Sequence, residues 1–181
     1  MIKKIILGVL ALLVLAIAGF CVAAAMQPNE LKVVRTTTIA APPEKVFEQV
    51  NDFNRWQAWS PWEKLDPAMK REISGSPTGK GAIYYWVGND DVGEGRMTIA
   101  ESHPSGHIKI DLDFIKPWEQ KSAIDFGFKP DGNKTNVTWT MTMQNNFVSK
   151  AFGLLMDMDK MLGSDFEKGL AQLKAVTEAA K

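Results

Sequence analysis

The C-terminal part of the chain carries one long stripe of apolar side chains at helical spacing. Between residues 148 and 179 these side chains recur every three or four positions, which is typical of an amphipathic helix with one buried face. They are Val148, Phe152, Leu155, Met158, Leu162, Phe166, Leu170 and Leu173. Such a helix must lie against another apolar surface, so we expect the rest of the chain to supply one.

The preceding segments alternate polar and apolar residues, which predicts an antiparallel sheet with one face in water. In HIKIDLDF, residues 107–114, the apolar side chains share one face and the charged ones share the other. The other candidate strands are LKVVRTTTIAA, GAIYYWV, GRMTIAE, SAIDFGFK and TNVTWTMTM. Short helices are expected after Pro42 and Pro43. This order predicts an α+β domain, a curved antiparallel sheet that grips the long C-terminal helix.

The N-terminus carries a second strong pattern. Residues 5–26 contain no charged side chain and follow Lys3 and Lys4. Roughly 20 apolar residues are enough to cross the hydrocarbon layer of a bilayer as a helix. The positive flank favours a cytoplasmic N-terminus, so we expect a transmembrane anchor with the domain exported, periplasmic or otherwise extracytoplasmic.

A cleaved signal peptide is the alternative to an anchor. Ala23 and Ala25 fit an A-x-A cleavage rule, and the domain would then be secreted. Lipid modification of Cys21 is a third, weaker possibility. We therefore divide the chain into an anchor or signal segment at 1–26, a linker at 27–32 and a single domain at 33–181.

The charge and the reactive side chains exclude several functions. The 21 basic residues match the 21 acidic ones, so no basic footprint for nucleic acid exists. His103 and His107 flank a turn and are expected to face solvent, and two histidines with one cysteine do not make a zinc set. Asp111 and Asp113 alternate with apolar neighbours and should point outward. We predict no catalytic residue, no metal and no cofactor, and the sequence leaves enzymatic activity open, though disfavoured.

The motif RWQAWSPW, residues 55–62, concentrates Trp56, Trp59 and Trp62 at one corner of the domain. Tryptophan combines a large apolar area with an N–H donor, which suits the mouth of a cavity. The cluster can equally act as a plug that fills one end of the core, or as an aromatic patch that faces the membrane. The sequence leaves these three interpretations open.

Five segments together resemble the polyketide cyclase/dehydrase-type branch of the START-like (SRPBCC) superfamily. They are IAAPPEKVFEQVNDFNRWQAWSPW from residue 39, GKGAIYYWVGN from 79, VGEGRMTI from 92, TWTM from 138 and MDMDKMLGSDFEKGLAQLK from 156. The resemblance spans roughly residues 33 to 176 and implies a helix-grip fold. It says less about activity, because such folds are containers whose members bind lipids, quinones, hormones or polyketides, and only some catalyse a reaction.

The resemblance and the apolar faces together predict an internal cavity for a small hydrophobic or amphipathic ligand, or a lipid. The ligand-binding residues we expect are Trp56, Trp59, Trp62, Tyr84, Trp86, Met97, Phe114, Phe126, Trp139, Met141, Met158 and Leu162. Two alternatives remain: a polyketide cyclase or dehydratase-like enzyme, with Tyr84 moving a proton, and a structural or stress-related envelope protein with a vestigial cavity.

Overall fold

A computed structural model describes residues 2–180. Met1 and Lys181, the outer ends of the predicted anchor and domain, lie outside the described residues. The helices are α1 (Ile2–Ala25), α2 (Pro43–Asn51), α3 (Phe147–Gly153) and α4 (Met158–Ala179). The strands are β1 (Glu30–Ile39), β2 (Lys70–Gly75), β3 (Ala82–Val87), β4 (Glu94–His103), β5 (His107–Lys116), β6 (Gln120–Asp131) and β7 (Lys134–Gln144). Two short 3-10 helices, Phe53–Ala58 and Pro61–Lys64, follow α2.

The chain forms two compact units. The first contains the N-terminal residues to Leu31 together with Gln144–Met158, and the second contains Lys32–Met143 and the residues from Asp159 onward. In the first unit, α1 is apolar and long enough to cross a membrane, and only Ala24 in it is buried. An N-terminal signal sequence has the same length and composition, so these properties fit either an anchor or a signal.

The second unit is built on a seven-stranded sheet in the order β1-β7-β6-β5-β4-β3-β2. Successive strands from β2 to β7 pair antiparallel, as the alternating sequence predicts. Two register shifts interrupt the pairing of β4 with β5, between Glu94 and Gly95 and between Ile99 and Glu101. Such irregularities bend and twist a sheet, and the curved sheet with its C-terminal helix confirms the α+β helix-grip fold.

The core lies between the inner face of this sheet and α4. The alternating strands bury Ile108, Ile110 and Leu112, as expected, and α4 buries Phe166, Leu170 and Leu173. These apolar faces fit together closely, and Trp139 of β7 stacks on Phe166 with ring centroids 4.2 Å apart and planes 7° from parallel.

Two glycines of α4 mark where the packing is closest. A Cβ atom at Gly169 would lie 2.8 Å from the Trp139 ring, and one at Gly163 would overlap the Arg35 guanidinium. Arg35 crosses α4 at this gap and pairs with Asp159 at 3.0 Å and Glu167 at 2.8 Å. The two glycines therefore allow close contact between the helix and the sheet.

The structure corrects the prediction of one continuous C-terminal helix. A turn over residues 154–157 separates α3 from α4, and Asn146 caps α3 by accepting a hydrogen bond from the Ser149 N–H. Val148, Phe152 and Leu155, which were expected to lie on the sheet, are exposed. Helical spacing persists through a short turn, so the pattern alone does not reveal where one helix ends.

Candidate ligand-binding cavity

The second unit contains a partly enclosed cavity of about 190 Å³ between α4, the inner face of the sheet and the tryptophan motif. Its wall is formed by Trp56, Ser60, Trp62, Glu63, Met69, Tyr84, Trp86, Asp91, Val92, Met97, Leu112, Phe114, Ile124, Trp139, Met141, Leu162 and Phe166. Most of these side chains are aromatic or aliphatic. An apolar cavity of roughly 150 Å³ holds one benzene molecule, so this one fits a ligand of one or two rings.

The structure brings most of the predicted ligand-binding residues together on this wall. Trp56, Trp62, Tyr84, Trp86, Met97, Phe114, Trp139, Met141 and Leu162 all line the cavity. Within the described part of the chain, Trp59, Phe126 and Met158 lie outside the lining. Trp59 and Phe126 are fully buried and contact each other edge to face at 6.1 Å, so they support the wall from behind. Met158 is the first residue of α4.

The tryptophans of RWQAWSPW divide between core and cavity. The Trp56 and Trp59 indole N–H groups donate to the backbone carbonyls of Val50 and Gln49, each at 3.0 Å. These carbonyls belong to the last turn of α2, where a helix leaves acceptors without internal partners. Trp62 is half-buried, lines the cavity and touches the rings of Trp139 and Phe166. Two tryptophans of the motif thus cap the C-terminal end of α2, and the third, Trp62, forms part of the cavity wall.

The β3–β4 connection forms the opposite side of the wall. The Trp86 indole donates to the Val92 carbonyl at 3.0 Å and so fixes the connecting loop. A Cβ atom at Gly95, which pairs with Trp86 across the strands, would lie 2.4 Å from two atoms of the Trp86 ring. Only glycine therefore lets this ring lie flat against β4. Asp66 holds the same loop by accepting from the Asn89 N–H at 2.8 Å.

The cavity is bordered by a buried polar group, which the sequence did not predict. The Tyr84 hydroxyl donates to Glu63 Oε1 at 2.5 Å, and the Glu63 side chain is only 6% exposed. Arg71 Nε lies 2.8 Å from Glu63 Oε2 but its N–H does not point at that oxygen, so the two side chains form an ion pair without a hydrogen bond at this nitrogen. Glu63 follows the tryptophan motif and Arg71 belongs to β2, a strand that the sequence pattern did not predict.

This polar group limits what Tyr84 can do. Burial, and then the hydrogen bond to Glu63, raise the pKa of the Tyr84 hydroxyl well above its usual range. Tyr84 therefore stays protonated at neutral pH, and the raised pKa makes its hydroxyl a weaker proton donor. Its hydroxyl hydrogen is already donated to the Glu63 carboxylate.

The curved sheet, the gripped helix and the apolar hollow between them define a helix-grip container. The chain belongs to the family described as "Polyketide cyclase / dehydrase and lipid transport", whose match extends over residues 30–178. No curated protein sequence matches the chain.

Several solved structures share this fold. A protein of unknown function from Staphylococcus aureus matches with a TM-score of 0.62 and 14% identity, over 83% of this chain and 95% of its own. The Aha1 dimer from Colwellia psychrerythraea matches with a TM-score of 0.60 and 18% identity, over 83% and 98%. A protein from Chromobacterium violaceum matches with a TM-score of 0.59 and 14% identity, over 84% and 99%. At these identities the similarity establishes the fold and leaves the ligand open.

Proposed function

We propose that this protein binds a small hydrophobic or amphipathic molecule in its cavity, without catalysing a reaction, on the outer side of a membrane to which α1 anchors it. The observation that carries the proposal is the wall of the cavity, which is mostly aromatic and aliphatic with few polar groups. Small-molecule sites have this composition. Methionines such as Met97 and Met141 suit such a wall, because their flexible side chains repack around ligands of different shape.

The size of the cavity narrows the ligand class. About 190 Å³ is below the roughly 300–1,000 Å³ that is usual for drug-sized ligands, so we favour a ring-sized molecule over a long acyl chain. The anchored location is supported by α1, whose apolar side chains are exposed along its length, and by Lys3 and Lys4 before it.

The test uses the full-length protein in detergent and 1-naphthol, a two-ring molecule with one hydroxyl group. Isothermal titration should show one binding site, and Trp62→Ala should weaken binding by about tenfold, because it removes one apolar wall. Trp118→Ala is the matched control, since Trp118 is 74% exposed and lies outside the lining among the described residues. Absence of naphthol binding, or an equal loss in both variants, would contradict the proposal.

One observation favours a second candidate, an enzyme of the cyclase or dehydratase kind. Tyr84 and Glu63 place a hydroxyl and a carboxylate at the wall, and Arg71 pairs with that carboxylate. The family description names such activities. In this case Tyr84→Phe should abolish turnover of a cyclisable polyketone while naphthol binding persists. Turnover that Tyr84→Phe leaves unchanged would remove Tyr84 from any mechanism.

A further inference from the structure

The first unit exposes a continuous apolar surface on α3 and the turn that follows it. The exposed fractions are 51% for Phe147, 60% for Val148, 52% for Phe152, 72% for Leu155 and 48% for Met156. Exposed apolar patches of this kind on a soluble surface usually mark a contact with another molecule or a membrane. We define this set of five residues as the α3 surface.

The α3 surface is fixed to the end of α1. Within the first unit α3 packs against α1. The Lys150 ammonium donates to Asn29 Oδ1 at 2.5 Å, and the Asn145 N–H donates to the Asn29 carbonyl at 2.8 Å. The Asn145 side chain also donates to the Pro28 carbonyl at 3.2 Å. Because Pro28 and Asn29 follow the last residue of α1, Ala25, by three and four positions, these bonds hold α3 near the end of α1.

Because α3 is held near the end of α1, the environment of α1 determines what lies against the α3 surface. The side chains of α1 are apolar and exposed, and a lipid bilayer is the environment in which such a helix is stable. A short apolar helix beside the end of a membrane span meets the boundary between headgroups and acyl chains, where phenylalanine and leucine side chains can insert. Lys150 is the only charged residue between Gln144 and Met156, so insertion takes no carboxylate out of water.

We infer that the α3 surface is a second membrane contact, which lies in the interface of the bilayer beside α1. This inference rests on the proposed anchoring by α1. It explains why the apolar stripe of the sequence continues through residues 147–156, although those side chains are exposed in the protein.

The experiment uses the full chain in phosphatidylcholine nanodiscs. In a Cys21→Ser background, single cysteines replace Phe152, Leu155, Leu13 of α1 and the exposed Ala171 of α4, and each carries an environment-sensitive fluorophore. We expect blue-shifted emission and at least a threefold weaker quenching by iodide at positions 152 and 155 than at position 171. Nitroxide-labelled lipid should quench 152 and 155 but not 171.

The label at Leu13 separates the two claims. Lipid protection at position 13 together with full iodide quenching at 152 and 155 would overturn the inference and leave the anchor standing. Loss of protection at all three positions would overturn the anchoring proposal as well. Naphthol binding is measured separately and does not depend on either result.

A second, independent observation concerns the tip of the β4–β5 hairpin in the other unit. His103 and His107 face each other across the strands, and their rings stack with centroids 4.4 Å apart. Glu101 Oε2 lies 3.5 Å from His107 Nε2 and 3.7 Å from His103 Nε2. Sequence reasoning counted only histidine and cysteine here, so it missed the carboxylate as a third ligand.

The potential ligand atoms of the three residues lie within 4.8 Å of one another, and a rotation of the two stacked rings would direct both nitrogens at one tetrahedral ion. Zinc binds imidazole nitrogen and carboxylate oxygen at about 2.0–2.2 Å, which separates neighbouring ligand atoms by roughly 3.3 Å. Glu101 and His107 are partly exposed and His103 is exposed, which leaves the fourth position to water. We propose that Glu101, His103 and His107 bind a divalent ion of the zinc or copper class.

The site is tested on full-length protein that is purified without a histidine tag, treated with a chelator and titrated with zinc chloride. We expect one ion per chain, and His103→Ala or His107→Ala should weaken binding at least tenfold. Lys109→Ala should strengthen it, because the Lys109 ammonium lies 3.7 Å from Glu101 Oε1 and opposes a nearby cation. Zinc affinity that is the same in wild type and both histidine variants would overturn the proposal.

Discussion

The helices α3 and α4 continue one apolar stripe of the sequence but have opposite surroundings. In α4, Phe166, Leu170 and Leu173 are buried against the sheet. Phe152 in α3 and Leu155 in the turn after it belong to the same stripe of the sequence, and both are exposed. The same spacing thus serves a protein core in one helix and, by our inference, a lipid interface in the other.

This difference shows what an amphipathic pattern means physically. Helical spacing of apolar residues indicates that one face of a helix avoids water. It does not indicate whether protein or lipid covers that face, because a protein core and a lipid acyl layer are both apolar. Matched substitutions in α3 and α4 test whether the apolar faces of the two helices differ in this way.

The largest expected effect comes from truncating one phenylalanine in each helix. Phe166→Ala should lower the free energy of unfolding by about 3–5 kcal/mol, because it leaves a cavity beneath the stacked Trp139 ring. Phe152→Ala should change it by about 1 kcal/mol or less, because this side chain is 52% exposed and little protein packing is lost. Urea unfolding of the full chain in detergent, followed by circular dichroism, measures both. Equal losses would mean that α3 is packed like α4.

Replacing one glycine by alanine in each helix should change the free energy of unfolding by a smaller amount. The change should be a loss in α4 and a gain in α3. Gly169→Ala should destabilise by about 1–3 kcal/mol, because the new Cβ would press on Trp139 and Pro61. Gly153→Ala meets open space and should stabilise by up to about 1 kcal/mol. The same unfolding experiment compares them. A loss at both positions would contradict the open surroundings of α3.

The smallest effect is expected at Gly163, where the neighbour can move. The added Cβ of Gly163→Ala would overlap the Arg35 guanidinium, the far end of a flexible side chain. Arg35 can swing into solvent, so the melting temperature should fall by less than in Gly169→Ala. In an Arg35→Met background, Gly163→Ala should no longer be unfavourable. If its cost persists there, something other than Arg35 fills the space.

The tryptophan motif shows where sequence reasoning reached its limit. Its three rings stand three residues apart, and the sequence left open whether they line a cavity, fill the core or face the membrane. In the structure Trp59 is core, Trp62 lines the cavity, and Trp56 does both. The carbonyls of Gln49 and Val50 decide this division, because they accept from Trp59 and Trp56 and fix those rings inward.

The features that follow from local periodicity could be predicted from the sequence. Alternation fixed the inner and outer faces of β4 to β7, helical spacing fixed the apolar face of α4, and the uncharged stretch fixed α1. These features depend on residues only a few positions apart, so they can be predicted directly from the sequence.

Contacts between residues far apart in the sequence depend on the folded chain. The tertiary structure sets which of these residues meet. Glu63 meets Tyr84 and Arg71 because a 3-10 helix and two strands bring them to one wall, and no pattern in the sequence links them. It also decided that the apolar stripe is covered by protein along α4 and left open along α3. Burial depends on what lies opposite a side chain in space, and that partner is chosen by the fold as a whole.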